Sequence, residues 1–468
     1  MEPIFCISAG QLLVKKTNNK INRQNRYLNY GLLSLATTLK NEGWKTTQIQ
    51  GHFDDPAITL KKCITGGFGR ENTMPLLISI PSFYAISWVN LFIENIKNIN
   101  NRIKIIIGGR WVISNQLDLM RELVPQADII IPGLVDNKIG HIVRSNSRYQ
   151  PLNITDNHHS NHSQIQLDYS ILVDRSLYQP SLEVSRGCGM GCSFCQEKDE
   201  PLLALKPPLK IINEAQTTLL DDNLNTMNLY FESSMFIPNK NWIDNLIANQ
   251  VSSNTVFNWR TESRVDAINI KHIEKLSKSG LKILDLGLES ASHTQLLKMK
   301  KTKNPTLYLS RASDLLKKCY EYGIYVKVNI LLSAGETQET ILETKEWLAS
   351  HRKYIKGISA GPVIIFGWQP EISDYYKELS LHGASMSNSP ATGIYHLNLS
   401  NEIDHEESIA ISNDISREFM SSSDYFFLKS FSYFSRDYRY SDFINDLNKN
   451  NSYSFRIDSL TSDTKISN

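Results

Sequence analysis

The chain has 468 residues, of which 41% are hydrophobic and 21% charged. That is the make-up of an ordinary folded protein, so disorder throughout is excluded, and the length suits two or three domains of roughly 100–200 residues. Fifty Lys and Arg against 48 Asp and Glu leave +2, so no overall field draws nucleic acid or anionic lipid to the surface. No apolar run approaches the ~20 residues of a membrane span. The start, Met1-Glu2-Pro3-Ile4, lacks the basic and apolar stretches of a signal peptide, and a cytoplasmic location is expected.

The first 145 residues alternate strand and helix signals. Ile4 to Ile7 is a short β-type run, and Leu28 to Glu42 carries apolar residues at helical spacing before Gly43. Strand signals follow at Thr46–Ile49, Leu76–Ile80, Ile103–Ile107 and Ala127–Ile131, with helices expected at Ser87–Asn98 and Asn115–Leu123. Short apolar strands separated by helices imply a doubly wound parallel sheet covered on both faces. Its ligands would lie beyond the carboxyl ends of the strands, near Gly10, Pro81 and Gly108-Gly109.

Residues 146–178 include NSRYQPLNITDNHHSNHSQ, a polar stretch without periodicity that reads as a linker. His158, His159 and His162 have no Cys or carboxylate frame at ligand spacing and are read as a solvated loop. From 179 to 380 the alternation resumes. Strands are predicted at Ser181–Val184, Met227–Phe231, Val256–Trp259, Ile283–Leu286, Tyr325–Leu331 and Val363–Phe366. The helices between them are predicted at Trp242–Asn249, Ile270–Ser279, Leu307–Tyr320 and Glu339–Ser350. Six such units predict a partial parallel (βα)6 barrel whose working face is the carboxyl end of its strands. The remainder, 381–468, lacks a strong period. It is expected to be an α/irregular segment ending in a loose polar tail.

Six cysteines are too few for a disulfide scaffold. Cys6, Cys63 and Cys319 sit among apolar neighbours and are read as core residues. Cys188, Cys192 and Cys195 form a C-x3-C-x2-C run directly after a predicted strand. Three thiolates on one loop can grip three corners of a cubane 4Fe-4S cluster and leave the fourth iron open for a substrate or cofactor. Gly187, Gly189 and Gly191 allow the backbone to fold around it. A structural zinc site is disfavoured, because it wants four ligands in paired spacing and no histidine lies between His162 and His272.

The run Glu183-Val-Ser-Arg-Gly-Cys188-Gly-Met-Gly-Cys192-Ser-Phe194-Cys195 resembles the cluster loop of radical S-adenosylmethionine (SAM) enzymes. The resemblance implies a 4Fe-4S cluster that binds SAM at its open iron and cleaves it to a 5′-deoxyadenosyl radical. It also implies SAM contacts at Phe194, at Glu232, Ser233 and Ser234 after the second strand, and at Arg260 on the third. Glu289 and Ser290 on the fourth strand would meet the ribose, and Asn329 and Gly335 around the fifth would approach the adenine. Tyr230, Glu262 and Arg264 are candidate catalytic residues by their position near strand ends.

The first half resembles the cobalamin-binding, Rossmann-like domain that precedes many such enzymes, which implies cobalamin contacts at Gly108, Gly109 and Ser82. The D-x-H-x-x-G motif of classical cobalamin domains is missing, and His52 is read as a satisfied surface histidine, so cobalamin binding stays open. The leading expectation is hydrogen abstraction from a small sugar or specialised-metabolite substrate, followed by dehydration, epimerisation or rearrangement. The loop and length are also similar to the radical diol-dehydratases of aminoglycoside biosynthesis. The alternatives are a cobalamin-dependent methyltransferase and a catalytically dead iron–sulfur or corrinoid-binding protein. A separate electron donor (flavodoxin, ferredoxin or a dedicated reductase) is implied. A transfer-RNA-modifying role is set aside, since the region after 400 is not basic and no second three-cysteine set exists.

Overall fold

The structure is a computed structural model. It describes residues 2–12, 20–147, 165–195, 197–198, 200–218, 228–367, 373–388, 393–447 and 453–457. The N-terminal sheet contains β1 (Ile4–Ser8), β2 (Thr46–Gln50), β3 (Leu76–Ser79), β4 (Ile105–Gly108) and β5 (Ile129–Ile130). All five are parallel, in the order β2-β1-β3-β4-β5. Strand periodicity divides each strand between two cores. Phe5, Ile7, Leu76, Ile78, Ile105 and Ile107 pack with the helices Pro56–Thr65 and Ile86–Ile99 on one face. Ile4, Cys6, Leu77 and Ile106 pack with Tyr30–Asn41 and Ile139–Asn146 on the other. The helix Pro56–Thr65, not predicted from sequence, starts at Asp55, whose side chain accepts from the Ala57 amide at 2.8 Å, with Pro56 at its first position.

The second sheet contains β6 (Ser181–Glu183), β7 (Asn228–Glu232), β8 (Asn258–Arg264), β9 (Leu281–Glu289), β10 (Tyr325–Leu332) and β11 (Ile355–Pro362). These pair in parallel in sequence order. Outward residues such as Trp259, Leu284, Leu286, Val326 and Val328 join the largest apolar core. The inward faces stack in layers: Tyr230, Arg260 and Ile283; then Glu262, Asp285, Lys327 and Gly357; then Arg264, Gly287, Asn329 and Ser359. The sixth barrel strand is therefore Ile355–Pro362, not the predicted Val363–Phe366. Its KGISAG run lacks aliphatic alternation, because one of its faces meets the helix His405–Phe419; the Ala360 amide donates to Ser416 Oγ at 3.2 Å. Residues Ile364–Phe366 form β12, which with β13 (Ser385–Met386) and β14 (Ile394–Asn398) makes a small antiparallel sheet.

The C-terminal region is more ordered than its sequence suggested. Helices Ser422–Ser430 and Tyr440–Asp446 are joined by an aromatic cluster of Tyr425, Phe426, Phe434, Phe443 and Phe455. Aromatic packing replaces aliphatic periodicity there. This segment bridges the seam between β6 and β11: Arg436 N donates to Leu177 O at 3.0 Å, and Gln179 Nε2 to Ser430 O at 2.8 Å. The expected polar tail falls on 458–468, outside the described residues, as do His158, His159 and His162.

From 165 onward the stretch read as linker is packed. Leu172 bridges Gln48 of β2, and Leu167, Tyr169 and Ile171 are buried. His52 is half-buried instead of superficial. Its Nε2 bonds Tyr178 Oη at 2.9 Å, and burial pushes its ring down to about 3. Cys6, Cys63 and Cys319 are core residues whose thiols burial pushes up to about 12. Among the described residues no helix is long and apolar enough to cross a membrane.

One buried ion pair ties the packed stretch to the barrel. Lys206 Nζ lies 2.6 Å from Glu214 Oε2, with both side chains at most 1% exposed, and also donates to Ile165 O at 3.2 Å. Lys206→Ala should destabilise the chain by about 3–5 kcal/mol, because it takes the cation from a buried carboxylate. Lys206→Met with Glu214→Leu should recover most of that loss in urea denaturation.

Candidate cluster and cofactor site

The site begins where β6 ends. The Val184 amide donates to Glu232 O at 2.9 Å, and the chain then turns through Gly187, Gly189 and Gly191 at φ of +74°, +65° and +68°. A Cβ on Gly187 would sit 2.1 Å from Pro201 O, because the 200–203 segment runs against the loop. Cys188 N bonds Glu200 O at 3.0 Å and Leu203 N bonds Arg186 O at 2.8 Å. Cys192 is buried, while Cys188 and Cys195 are partly open. Burial pushes the Cys188 and Cys195 thiols up, and at Cys188 the charges of Arg264 and Lys301 work against that rise.

The donor set fits a cluster. No three His, Cys, Asp or Glu among the described residues converge as a mononuclear metal site would require. A cubane instead takes its thiolates at separate corners. Positive groups flank the loop: Arg264 Nη1 donates to Cys192 Sγ at 2.7 Å, and Lys301 Nζ stands 5.6 Å from the Phe194 ring centroid. The Ser193 amide and hydroxyl both bond Met299 O at 3.2 Å, fixing the loop to the segment after β9.

The other predicted residues divide. Glu232 ends β7 facing the barrel mouth, and burial, then the charge of Glu262, pushes its carboxyl up to about 8. Glu289 ends β9 at φ +70° and pairs with Lys301 at 3.0 Å. Asn329 faces the lumen and accepts from Lys327 Nζ at 3.1 Å. Gly335, at φ +77°, lies where a Cβ would meet Lys298 Nζ at 2.4 Å. Ser234 is exposed.

Three do not sit as expected. Ser233 Oγ is paired with Ser185 Oγ at 2.6 Å, and Ser290 Oγ with Thr344 Oγ1 at 3.1 Å, so neither hydroxyl is directed to the mouth. Arg260 is 1% exposed and holds Asp285 with two nitrogens, while its Nη1 bonds Leu428 O at 2.5 Å. At ~3.3 Å per residue it lies about 13 Å below Arg264, the strand's basic residue at the mouth. The period of two made both positions look alike in sequence.

Below the mouth the lumen is polar. Glu262 is exposed to it although barrel strands surround it; its Oε1 accepts from Tyr230 Oη at 2.6 Å. Burial, then the charge of Asp285, raises the Glu262 carboxyl. Burial alone would also raise Asp285, but Arg260 and Lys327 outweigh it and hold that carboxylate low. Lys327 Nζ is 3.2 Å from Asp285 Oδ1, and the Tyr433 ring lies 5.0 Å from the Arg260 guanidinium. Sequence reasoning missed Lys301 and Tyr433. Lys301 stands in a run of surface-like lysines and Tyr433 in the irregular segment, so neither carries a local signal.

A cleft of about 810 Å³, counted to its open mouth, lies at the carboxyl ends of β3, β4 and β5. Gly31, Gly108, Gly109 and Gly133 line it with aliphatic side chains, and Arg186 and Asp136 form a charged wall. Within its lining Asn29 Nδ2 donates to Ser79 Oγ, and also to Ser8 Oγ, both at 3.1 Å, where the strand order reverses. Ser82 is outside the lining and caps the Phe83–Ala85 turn. Arg186 pairs with Glu183 at 3.1 Å and with Asp136 at 3.4 Å, which links cleft, β6 and cluster loop.

Glu232 gives a pH prediction. Its folded value near 8 lies above the ordinary 4.5, so between those values the folded chain binds a proton that the unfolded chain has lost. Its contribution to stability therefore falls as pH rises from about 5 to 8. Glu232→Gln should flatten that fall, as read from denaturation midpoints at pH 6, 7 and 8.

Residues 182–348 match the family model described as Radical SAM superfamily. No curated protein sequence matches the chain. The radical SAM methyltransferase TsrM from Kitasatospora setae, with cobalamin and a 4Fe-4S cluster bound, shares 13% identity at a TM-score of 0.59, over 98% of this chain and 93% of that one. Its complex with tryptophan and a SAM analogue aligns at 0.57, over 84% and 79%. The cobalamin-dependent SAM radical enzyme OxsB aligns at 0.54 with 13% identity, over 82% of this chain and 55% of that one. Residues 182–348 thus carry the radical SAM match, on a fold that the chain shares along nearly its whole length with TsrM.

Proposed function

We propose that the chain is a cobalamin-dependent radical SAM enzyme that methylates a small polar organic molecule held in the barrel lumen. The observation that carries this reading is the cleft in the N-terminal domain. It shares Arg186 with the cluster loop, two residues before Cys188, and its floor is kept low by glycines. A side chain on Gly133 would meet nothing within 4 Å, so the floor is open where a flat ligand would lie. The likeness to TsrM, whose structure holds cobalamin, supports the same reading. The lining includes no histidine, so the lower face of a corrin would rest on aliphatic groups and backbone.

When bound, the cluster and SAM supply a carbon-centred radical, and cobalamin supplies a methyl carrier. The chain's own residues bind and orient. Cys188, Cys192 and Cys195 hold the cluster. Glu232 would take the SAM ammonium, losing its proton as it does so. Glu289, held by Lys301, would meet the ribose hydroxyls, and the turn at Gly335, packed against Lys298, would approach the adenine. In the lumen, Lys327, Asn329 and the Tyr230–Glu262 pair offer hydrogen bonds to a polar substrate, and the C-terminal segment closes the seam against water. A low-potential electron donor and a reducing cytoplasm complete this account.

A second reading keeps the radical but transfers no methyl group: hydrogen abstraction with dehydration, epimerisation or rearrangement. The Tyr230–Glu262 hydrogen bond favours it, since a positioned proton pair serves elimination or epimerisation. Anaerobically reconstituted protein with SAM and dithionite, with cobalamin added or omitted, separates the two by mass spectrometry. The proposal expects both 5′-deoxyadenosine and S-adenosylhomocysteine, and only with cobalamin. Deoxyadenosine alone, indifferent to cobalamin, supports the second reading. Neither product from protein with an intact cluster contradicts both. Cys192→Ala should lose the cluster's visible absorbance and every product.

A further inference from the structure

We infer that Arg264 tunes the cluster electronically, acting as a charged hydrogen-bond donor to one of its three thiolate ligands and raising the cluster's reduction potential. This rests on the proposed cluster at Cys188, Cys192 and Cys195. Arg264 is 6% exposed and all three of its guanidinium nitrogens are engaged: Nη1 to Cys192 Sγ at 2.7 Å, Nη2 to Lys301 O at 2.6 Å, and Nε and Nη2 to the two Asp266 oxygens at 2.8 and 2.9 Å. Two further strand residues on the same face, Glu262 and Arg260, are turned to other partners, so of these three Arg264 is the one bonded to the loop.

The three sulfurs are treated unequally. Cys195 Sγ accepts a neutral backbone amide, from Glu197 at 3.4 Å, whereas Cys192 Sγ receives a full positive charge at closer range. Reduction adds one electron from an external donor to the cluster; no protein bond forms or breaks. A cation bonded to a ligating sulfur stabilises the more negative, reduced state. The expected difference between the two states is roughly tenfold in the reduced-to-oxidised ratio, which is about 1.4 kcal/mol. Asp266 is the positioning residue, since its bidentate grip fixes the plane of the guanidinium.

The test is an EPR-monitored dithionite titration of the reconstituted full chain, with iron and sulfide measured in every sample. Arg264→Met should keep a cluster whose reduced-to-oxidised ratio at a fixed potential falls about tenfold, a midpoint about 59 mV more negative. Arg264→Lys should fall between Met and wild type. Asp266→Asn, which removes the carboxylate that compensates the arginine's charge, should shift the midpoint the opposite way, to more positive values, and it carries the test if Arg264→Met assembles no cluster. Wild-type midpoints in all cluster-bearing variants overturn the inference and leave the proposed function standing. A wild-type chain that assembles no 4Fe-4S cluster overturns both.

Discussion

The loop that leaves β6 must carry three sulfurs into one small volume within eight residues, and the rest of the molecule is arranged around that demand. Left-handed backbone at Gly187, Gly189 and Gly191 makes the turn, and the segment 200–203 presses so closely that a methyl group on Gly187 would overlap it. The loop is then held from three sides, by Met299 after β9, by Arg264 from β8 and, through Arg186, by the wall of the N-terminal cleft. A local conformational constraint thus becomes the junction between the N-terminal cleft and the barrel.

The barrel shows a division of labour by strand face. Outward residues make one large apolar core. Inward residues are charged and arranged so that each lower charge is answered: Arg260 and Lys327 by Asp285, Glu262 by a tyrosine hydroxyl. Burying charge is costly unless it is paired, and a site at the carboxyl end needs polar groups below it. The bidentate pair at the base and the Tyr433 ring under it close the lumen with groups that remain satisfied when the mouth is occupied.

Much of this was legible in the sequence, for reasons that differ by region. The N-terminal parallel sheet announced itself because strands buried on both faces are continuously apolar, and the cysteine loop because its spacing serves few chemistries. Ile355–Pro362 hid because one face is covered by a C-terminal helix distant in sequence. The C-terminal helices hid because aromatic stacking, not a heptad-like stripe, holds them. At the site, period-two reasoning put Arg260 and Arg264 on the right face but could not rank their height. Ser233 and Ser290 look like cofactor ligands by motif, yet their hydroxyls are taken by Ser185 and Thr344. Lys301 became visible only through the tertiary contact with Glu289.

The central claim is that three cysteines hold a cluster with one iron left open to SAM. Mössbauer spectroscopy of protein reconstituted with iron-57 tests it most directly, with and without added SAM. The account predicts a 4Fe-4S signature in which one iron of the four changes its isomer shift when SAM is added. Four irons indifferent to SAM, or a mononuclear signal, would contradict it.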